Sequence, residues 1–246
     1  MEQNKTGKYL KYAIGEILLV MIGILLALQV NNWNEDRTDR IEEREILFTL
    51  KEDFQNTILE IERLNGLRQN ILKVTDTFYK ITRDGFEGYS KSELDSLFSI
   101  IIINPTLNVP TSSLSLLFST GKLNLIRSNH IRDILLKWPI LLEDMLEGES
   151  YASNELRDLI RPKLEKYLNI QNINKWMKWR DLDMSIKENH GLVKSDYKGL
   201  FKDVQFINYL SRRELELNIN VSESEELKKV ANELINLINK LLQISE

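Results

Sequence analysis

The chain has 246 residues, 42% of them apolar and 28% charged, with a net charge of −4. That near balance gives no electrostatic footprint for nucleic acid. The absence of cysteine excludes disulfides and thiolate metal sites, and it suits an oxidising and a reducing compartment equally. With four prolines, ten glycines and almost no Asn-Gly or Asp-Gly pairs between alternating segments, a hairpin-rich β fold is not expected.

The first predicted element is an apolar helix. From Ile17 to Leu28 no side chain is polar, and Tyr12 to Val30 makes 19 residues with one Glu and one Gln. At 1.5 Å per residue, such a segment crosses a hydrocarbon core of about 30 Å. A short tail, 1–11, precedes a transmembrane helix over 12–34. Tyr9 and Tyr12 at one end and Trp33 at the other are placed as interface anchors. Two other readings stand beside this one: a cleaved signal peptide and a buried soluble helix. The basic start (Lys5, Lys8, Lys11) suits a signal peptide, but no small-x-small cleavage pattern follows. Those three lysines and the amine face Arg37, Arg40 and Arg44 across the span. The slim excess puts the N-terminus inside and the bulk of the chain outside.

Residues 35–246 read as a helical bundle domain. Leu47, Leu50, Phe54, Ile58 (or Thr57), Ile61, Leu64, Ile71, Val74, Phe78 and Ile81 recur mostly three and four apart, which predicts one long amphipathic helix over 35–83. Asp84-Gly85 ends it. Ser92-x-x-Asp95 sits in the position of a capping box and predicts a short helix over 92–103. Asn104-Pro105 and Val109-Pro110 mark an extended loop. A second short helix, 111–120, follows from Thr111, and Ser128 or Asn129 begins a long helix over 129–168 with Pro139 and Pro162 inside it. After a loop containing Trp176 and Trp179, a last helix covers 202–244. Its expected stripe is Val204, Ile207, Leu210, Leu217, Val221, Leu227, Val230 or Ala231, Leu234, Ile238 and Leu241. The expected fold class is therefore all-α: one N-terminal transmembrane helix continuing into a long amphipathic helix, packed in an extramembrane bundle.

Three segments carry a resemblance. One runs from Gly15-Glu16-Ile17-Leu18-Leu19-Val20 through Ile22-Gly23-Ile24-Leu25 and Ala27-Leu28-Gln29 to Asn31-Asn32-Trp33-Asn34-Glu35. The second is Ser113-Leu114, Leu117, Ser119 and Gly121-Lys122-Leu123-Asn124-Leu125-Ile126, followed by Trp138. The third is Phe206, Asn208, Leu210 and Arg213. Together they resemble an uncharacterised family of single-pass membrane proteins typical of the bacterial phylum Bacteroidota. The resemblance implies a mostly helical single-pass protein and brings no activity, ligand or catalytic residue.

Within the span, Glu16 is an acid in an apolar helix, which marks either a partner or a shallow, interfacial position near Lys11. Glu16, Val20, Gly23 and Ala27 share one narrow stripe, and Gly23-x-x-x-Ala27 permits close helix approach. Trp176 and Trp179 are candidates for a pocket lining or a plug where the bundle turns. No catalytic, cofactor-binding or metal-binding set is expected. His130 and His190 have no ligand-spaced partner, the serines around Ser113 lack a nucleophile elbow, and Gly121-Lys122 lacks the upstream glycine of a phosphate loop. The expected role is non-enzymatic: an envelope scaffold or interaction protein with no cofactor and no nucleic acid, partnered by the lipid bilayer and by a second copy or another membrane protein. The alternative is a sensory, ligand-binding bundle that signals through a partner.

Overall fold

The computed structural model describes residues 3–177 and 193–244, with side chains over 12–177 and 193–243. Every regular element among them is helical. The first, α1, runs unbroken over Gln3–Asp84. Nothing in its sequence stops it earlier: it contains no proline, and Gly85 terminates it at φ +91°, a left-handed conformation that glycine adopts without a Cβ clash. The Gly85 N–H donates to Ile81 O at 2.9 Å and closes the end.

Next comes α2 (Lys91–Ile101). Its cap differs from the expected one. Ser90, not Ser92, is the N-cap, and Glu93 completes the box: Glu93 N–H donates to Ser90 Oγ at 3.2 Å while Ser90 N–H donates to the Glu93 carboxylate at 2.7 Å. Asp95 is buried instead and accepts a 2.6 Å hydrogen bond from Tyr197 Oη. Residues 103–111 are extended, as two X-Pro steps dictate. The short α3 (Ser112–Ser119) ends before Gly121 at φ +70°, and one tight turn over Lys122–Leu125 leads to α4 (Asn129–Glu155), whose first turn is capped by Ser128 Oγ accepting from Ile131 N–H.

The single helix expected over 129–168 is divided. After α4 the backbone widens into a π-type segment, Leu156–Ile160, and resumes as α5 (Arg161–Tyr167). Pro162 falls in the first turn of α5, where its missing N–H costs least, and the widened turn re-routes the hydrogen bonding before it. Pro139 stays inside α4. Two short helices, α6 (Ile170–Asn174) and α7 (Tyr197–Leu200), come before the final α8 (Val204–Ile244).

Along its length α8 packs antiparallel on α1, with α4 against α8 on one side. Asn65 meets Ser224 and Glu225, and Lys228 reaches Glu62 at 3.8 Å. Two apolar clusters form in this arrangement. The one nearer the apolar helix joins Leu47–Leu64 of α1 to α3, α4 and Leu227–Leu242 of α8, with Phe54 edge-on to Trp138 at 4.6 Å. The farther one joins Ile71–Ile81 to α2, α5 and Phe206–Leu217 around Phe78, Phe98, Phe201 and Phe206.

The buried stripe of α8 keeps Leu210, Leu217, Leu227, Ala231, Leu234 and Ile238 of the expected one and departs from it at the other positions. Val204 is exposed and Ile207 and Val221 are only half-buried, whereas Phe206, Leu210, Arg213, Leu217, Asn220, Ser224, Leu227, Ala231, Leu234 and Ile238 are buried. Their spacing alternates four and three, and three of them are polar. On α1 the matching series is Glu43, Leu47, Leu50, Phe54, Thr57, Ile61, Leu64, Arg68 and Ile71. Thr57, not Ile58, takes the inward position.

Candidate functional site

Between the two apolar clusters lies a buried polar layer built by α1, α4, α8 and the extended 103–111 segment. Arg68 is 0% exposed and Glu149 2%. Arg68 donates to Glu149 through one terminal nitrogen and to Asn65 Oδ1 at 2.8 Å through the other. The second Glu149 oxygen accepts from the Leu107 N–H at 2.8 Å. Asn104 is placed by the X-Pro geometry of its loop. It donates to the Glu149 backbone carbonyl at 3.5 Å and accepts from Arg213 at 3.1 Å. Arg213, also fully buried, donates its other terminal nitrogen to Ile103 O. Ser224 Oγ donates to Asn65 Oδ1 at 2.8 Å, which ties α8 to the same network.

Burial dominates the electrostatics here. It pushes the Arg68 guanidinium down against the pull of Glu149, and it pushes the Glu149 carboxyl up against the Leu107 N–H and the Arg68 charge. Burial thus opposes the charged form of both members, while their mutual charge and hydrogen bond favour it. Nearby, burial raises Glu216, and the adjacent Glu155 carboxyl adds to the effect; Glu155 itself accepts from Arg212. Burial also raises Glu223, with help from Asp144, and lifts the Tyr209 hydroxyl to about 12. Such a layer fixes which turn of α1 faces which turn of α4 and α8. In this register the two arginines, Glu149 and the two asparagines meet in one hydrogen-bonded network.

The apolar part of α1 is placed quite differently. From Tyr12 to Thr38 every residue is exposed, and near the far end of this stretch Asp36 pairs with Arg127. Tyr12 and Trp33 bracket it, 21 residues or about 32 Å apart along the helix. This is the one helix among the described residues that is long and apolar enough to cross a membrane. Glu16, Val20, Gly23 and Ala27 share a face of it by their spacing, and a Cβ built on Gly23 meets nothing within 4 Å. The Tyr9 side chain lies outside the described residues.

Trp176 is 47% exposed, so it plugs nothing; the neighbouring Met177 packs on the distal cluster in its place. Trp179 and His190 lie outside the described residues. His130 is exposed and pairs across α4 and α8 with Glu233 at 2.9 Å. Ser113 donates to Asp53. Among the described residues no group of three or more His, Asp or Glu side chains is arranged to hold a metal.

The polar layer was missed by sequence reasoning, although a signal existed. The expected stripes jumped seven residues from Leu64 to Ile71 and from Leu210 to Leu217, and Arg68 and Arg213 stand in those two gaps.

No curated protein and no solved structure matches the chain. A family model described as "Family of unknown function (DUF6090)" matches residues 16–136, from the start of the apolar stretch to the first part of α4. The match fits an uncharacterised family. It covers the first segment from Glu16 on and the second from Ser113 to Ile126, while Gly15, Trp138 and the third segment, Phe206 to Arg213, lie outside it.

Proposed function

We propose that this chain is a single-pass membrane protein whose helical body serves as a scaffold for a partner in the bacterial cell envelope, without catalysis. The observation that carries the reading is the uncovered apolar run from Tyr12 to Trp33, continuous with a helix whose later turns are fully packed. An apolar surface of that length needs a non-aqueous surrounding, and its bracketing by Tyr12 and Trp33 suits the two interfaces of a bilayer. The polar layer supports a structural role: Arg68, Glu149 and Arg213 point inward and bond to one another's neighbours, where no substrate reaches them. A second copy, or another membrane protein, packs on the Glu16, Val20, Gly23 and Ala27 face, where small side chains let a neighbouring helix approach. The inner membrane is the proposed location, with the body in the periplasm.

Topology tests the reading. The chain has no native cysteine, so one Cys appended after Glu246 is a unique label site. Labelling of intact cells by a membrane-impermeant maleimide is expected. Labelling only after lysis would put the body in the cytoplasm and end the envelope role.

A further inference from the structure

At the end of α4 two carboxyls meet with no donor between them. Glu155 is the last residue of α4, and Glu216 stands on α8 within hydrogen-bonding reach of it. Glu155 is buried and Glu216 half-buried, but one oxygen of each is sealed from solvent and has no hydrogen-bond partner. Two carboxylates cannot supply one another, because an ionised carboxylate only accepts. A third group converges on the same place. The Tyr209 hydroxyl belongs to a side chain only 1% exposed, has no partner, and lies within reach of the charges of both Glu155 and Glu216.

The other charges around the pair are few. From α8, Arg212 donates to the second Glu155 oxygen, and Arg213 bears on Glu216. Arg213 is engaged by Asn104 Oδ1 and Ile103 O, and Arg68 of α1, which bears on Arg213, by Glu149. Arg157 and Asp158 of the π-type segment are exposed and pair with each other at 2.8 Å. Burial and the Glu155 carboxyl push Glu216 up, by more than Arg213 and Arg212 pull it down.

We propose that Glu155 and Glu216 share one proton, and that this proton latches the end of α4 to α8. With the proton in place, the Glu216 O–H donates to Glu155 and ties the two helices together. Loss of the proton to solvent leaves two carboxylates face to face, and the contact opens. Position decides what opens. The π-type segment Leu156–Ile160 begins at the next residue, and such turns recur at functional sites. Leu156, Ile160 and Leu164 fasten this stretch to the distal aromatic cluster, so an open latch loosens the cluster from one side. Because the folded-state value of Glu216 lies above its reference of 4.5, the latch is complete below that reference and is lost as pH rises through the raised value.

Hydrogen exchange of the full chain in neutral detergent tests the latch, read by mass spectrometry and corrected for the intrinsic pH dependence of exchange. Protection of peptides covering 153–164 is expected to fall several-fold between about pH 5 and about pH 9, while peptides covering 47–64 of α1 hold theirs. In Glu216→Gln the side-chain N–H donates to Glu155 without a titrating proton, so protection should persist at both ends of the range. Glu223→Gln, two turns further along α8, leaves the pair untouched and should still lose protection as the wild type does. Wild-type protection over 153–164 that does not change with pH overturns the proposal, and so does a Glu216→Gln chain that loses it like the wild type. The infrared difference between wild type and Glu216→Gln gives a second reading, independent of any change in folding. The wild type is expected to show a protonated-carboxyl C=O band that titrates away above the ordinary carboxylate range. A band that disappears within that range would mean that no proton is shared.

Discussion

Arg68 and Glu149 face opposite demands. Each is buried and shifted toward its neutral form, yet each is hydrogen-bonded on more than one side. Removing one member strands the other. Arg68→Leu is expected to cost about 3–5 kcal/mol, because the Glu149 carboxylate is left buried without its counter-charge. Adding Glu149→Gln should recover more than half of that loss: leucine suits an otherwise apolar seam position, and the Gln carbonyl still accepts the Leu107 N–H. Urea unfolding of the full chain in neutral detergent, followed by circular dichroism, measures both, and no recovery in the double variant would refute the account. Glu223 tests the titration side of the same layer. Its folded-state pKa is raised, first by burial and then by Asp144, so the native state binds more protons than the unfolded one above the ordinary carboxylate range. Stability is therefore lost as pH rises from about 4.5, the reference value, through the raised one. Glu223→Gln removes that loss, so the variant should melt higher than wild type at neutral pH, with the difference vanishing near pH 4. A variant that melts lower at pH 7 would show that the Glu223 charge is useful where it stands. At this scale legibility was poorest. The apolar stripes passed over Arg68, Arg213, Asn220 and Ser224, whose helical phase puts them inside. The capping serine was misplaced by two positions for a related reason: Ser92-x-x-Asp95 and Ser90-x-x-Glu93 look alike, and only the burial of Asp95 against Tyr197 decides between them.

Elements were more legible than their residues. The long α1 follows from an uninterrupted apolar period and the lack of proline, and its end from Asp84-Gly85, a signal with a backbone cause. The short helices flanking the two prolines of 103–111 follow from the same punctuation. What the pattern did not carry was the division of 129–168. A proline inside an apolar period signals a disturbance, but whether the helix kinks, stops or widens into a π-type turn depends on what packs beside it. Here Leu156 and Ile160 both remain buried across the widened turn, so the core face is preserved while the hydrogen bonding changes. At this scale the apolar part of α1 makes its own prediction. The small face at Gly23 and Ala27 should carry helix association in a membrane, where close backbone contact replaces the hydrophobic effect as the driving force. Gly23→Leu with Ala27→Leu would hold the neighbouring helix away, and the assembly should shift to a smaller species in detergent. An unchanged size would rule the face out. Trp176 teaches the reverse lesson: a large aromatic near a turn invites a core role, but its neighbour Met177, flexible and unbranched, fills the gap.

At the scale of the whole molecule, the apolar run and the helical class were both visible from composition and period. The pairing of α1 with α8 was not, because antiparallel partners are chosen by long-range contacts that a periodic stripe leaves open. The polar layer closes that choice by joining Asn65 and Arg68 to Ser224 and Glu149. One consequence follows from the continuity of α1 through its exposed and packed parts. No hinge separates the segment that lipid would surround from the segment that the other helices clasp. From Asn34 to Asp84 this helix is a lever of about 75 Å, clamped along most of its length by α8. A tilt of about 5° in the bilayer, well within what thickness mismatch produces, would sweep its tip through about 7 Å. In a membrane-spanning chain, bilayer thickness and the position of the distal aromatic cluster would in this way be mechanically geared to each other, with the polar layer as the pin that keeps the gear from slipping.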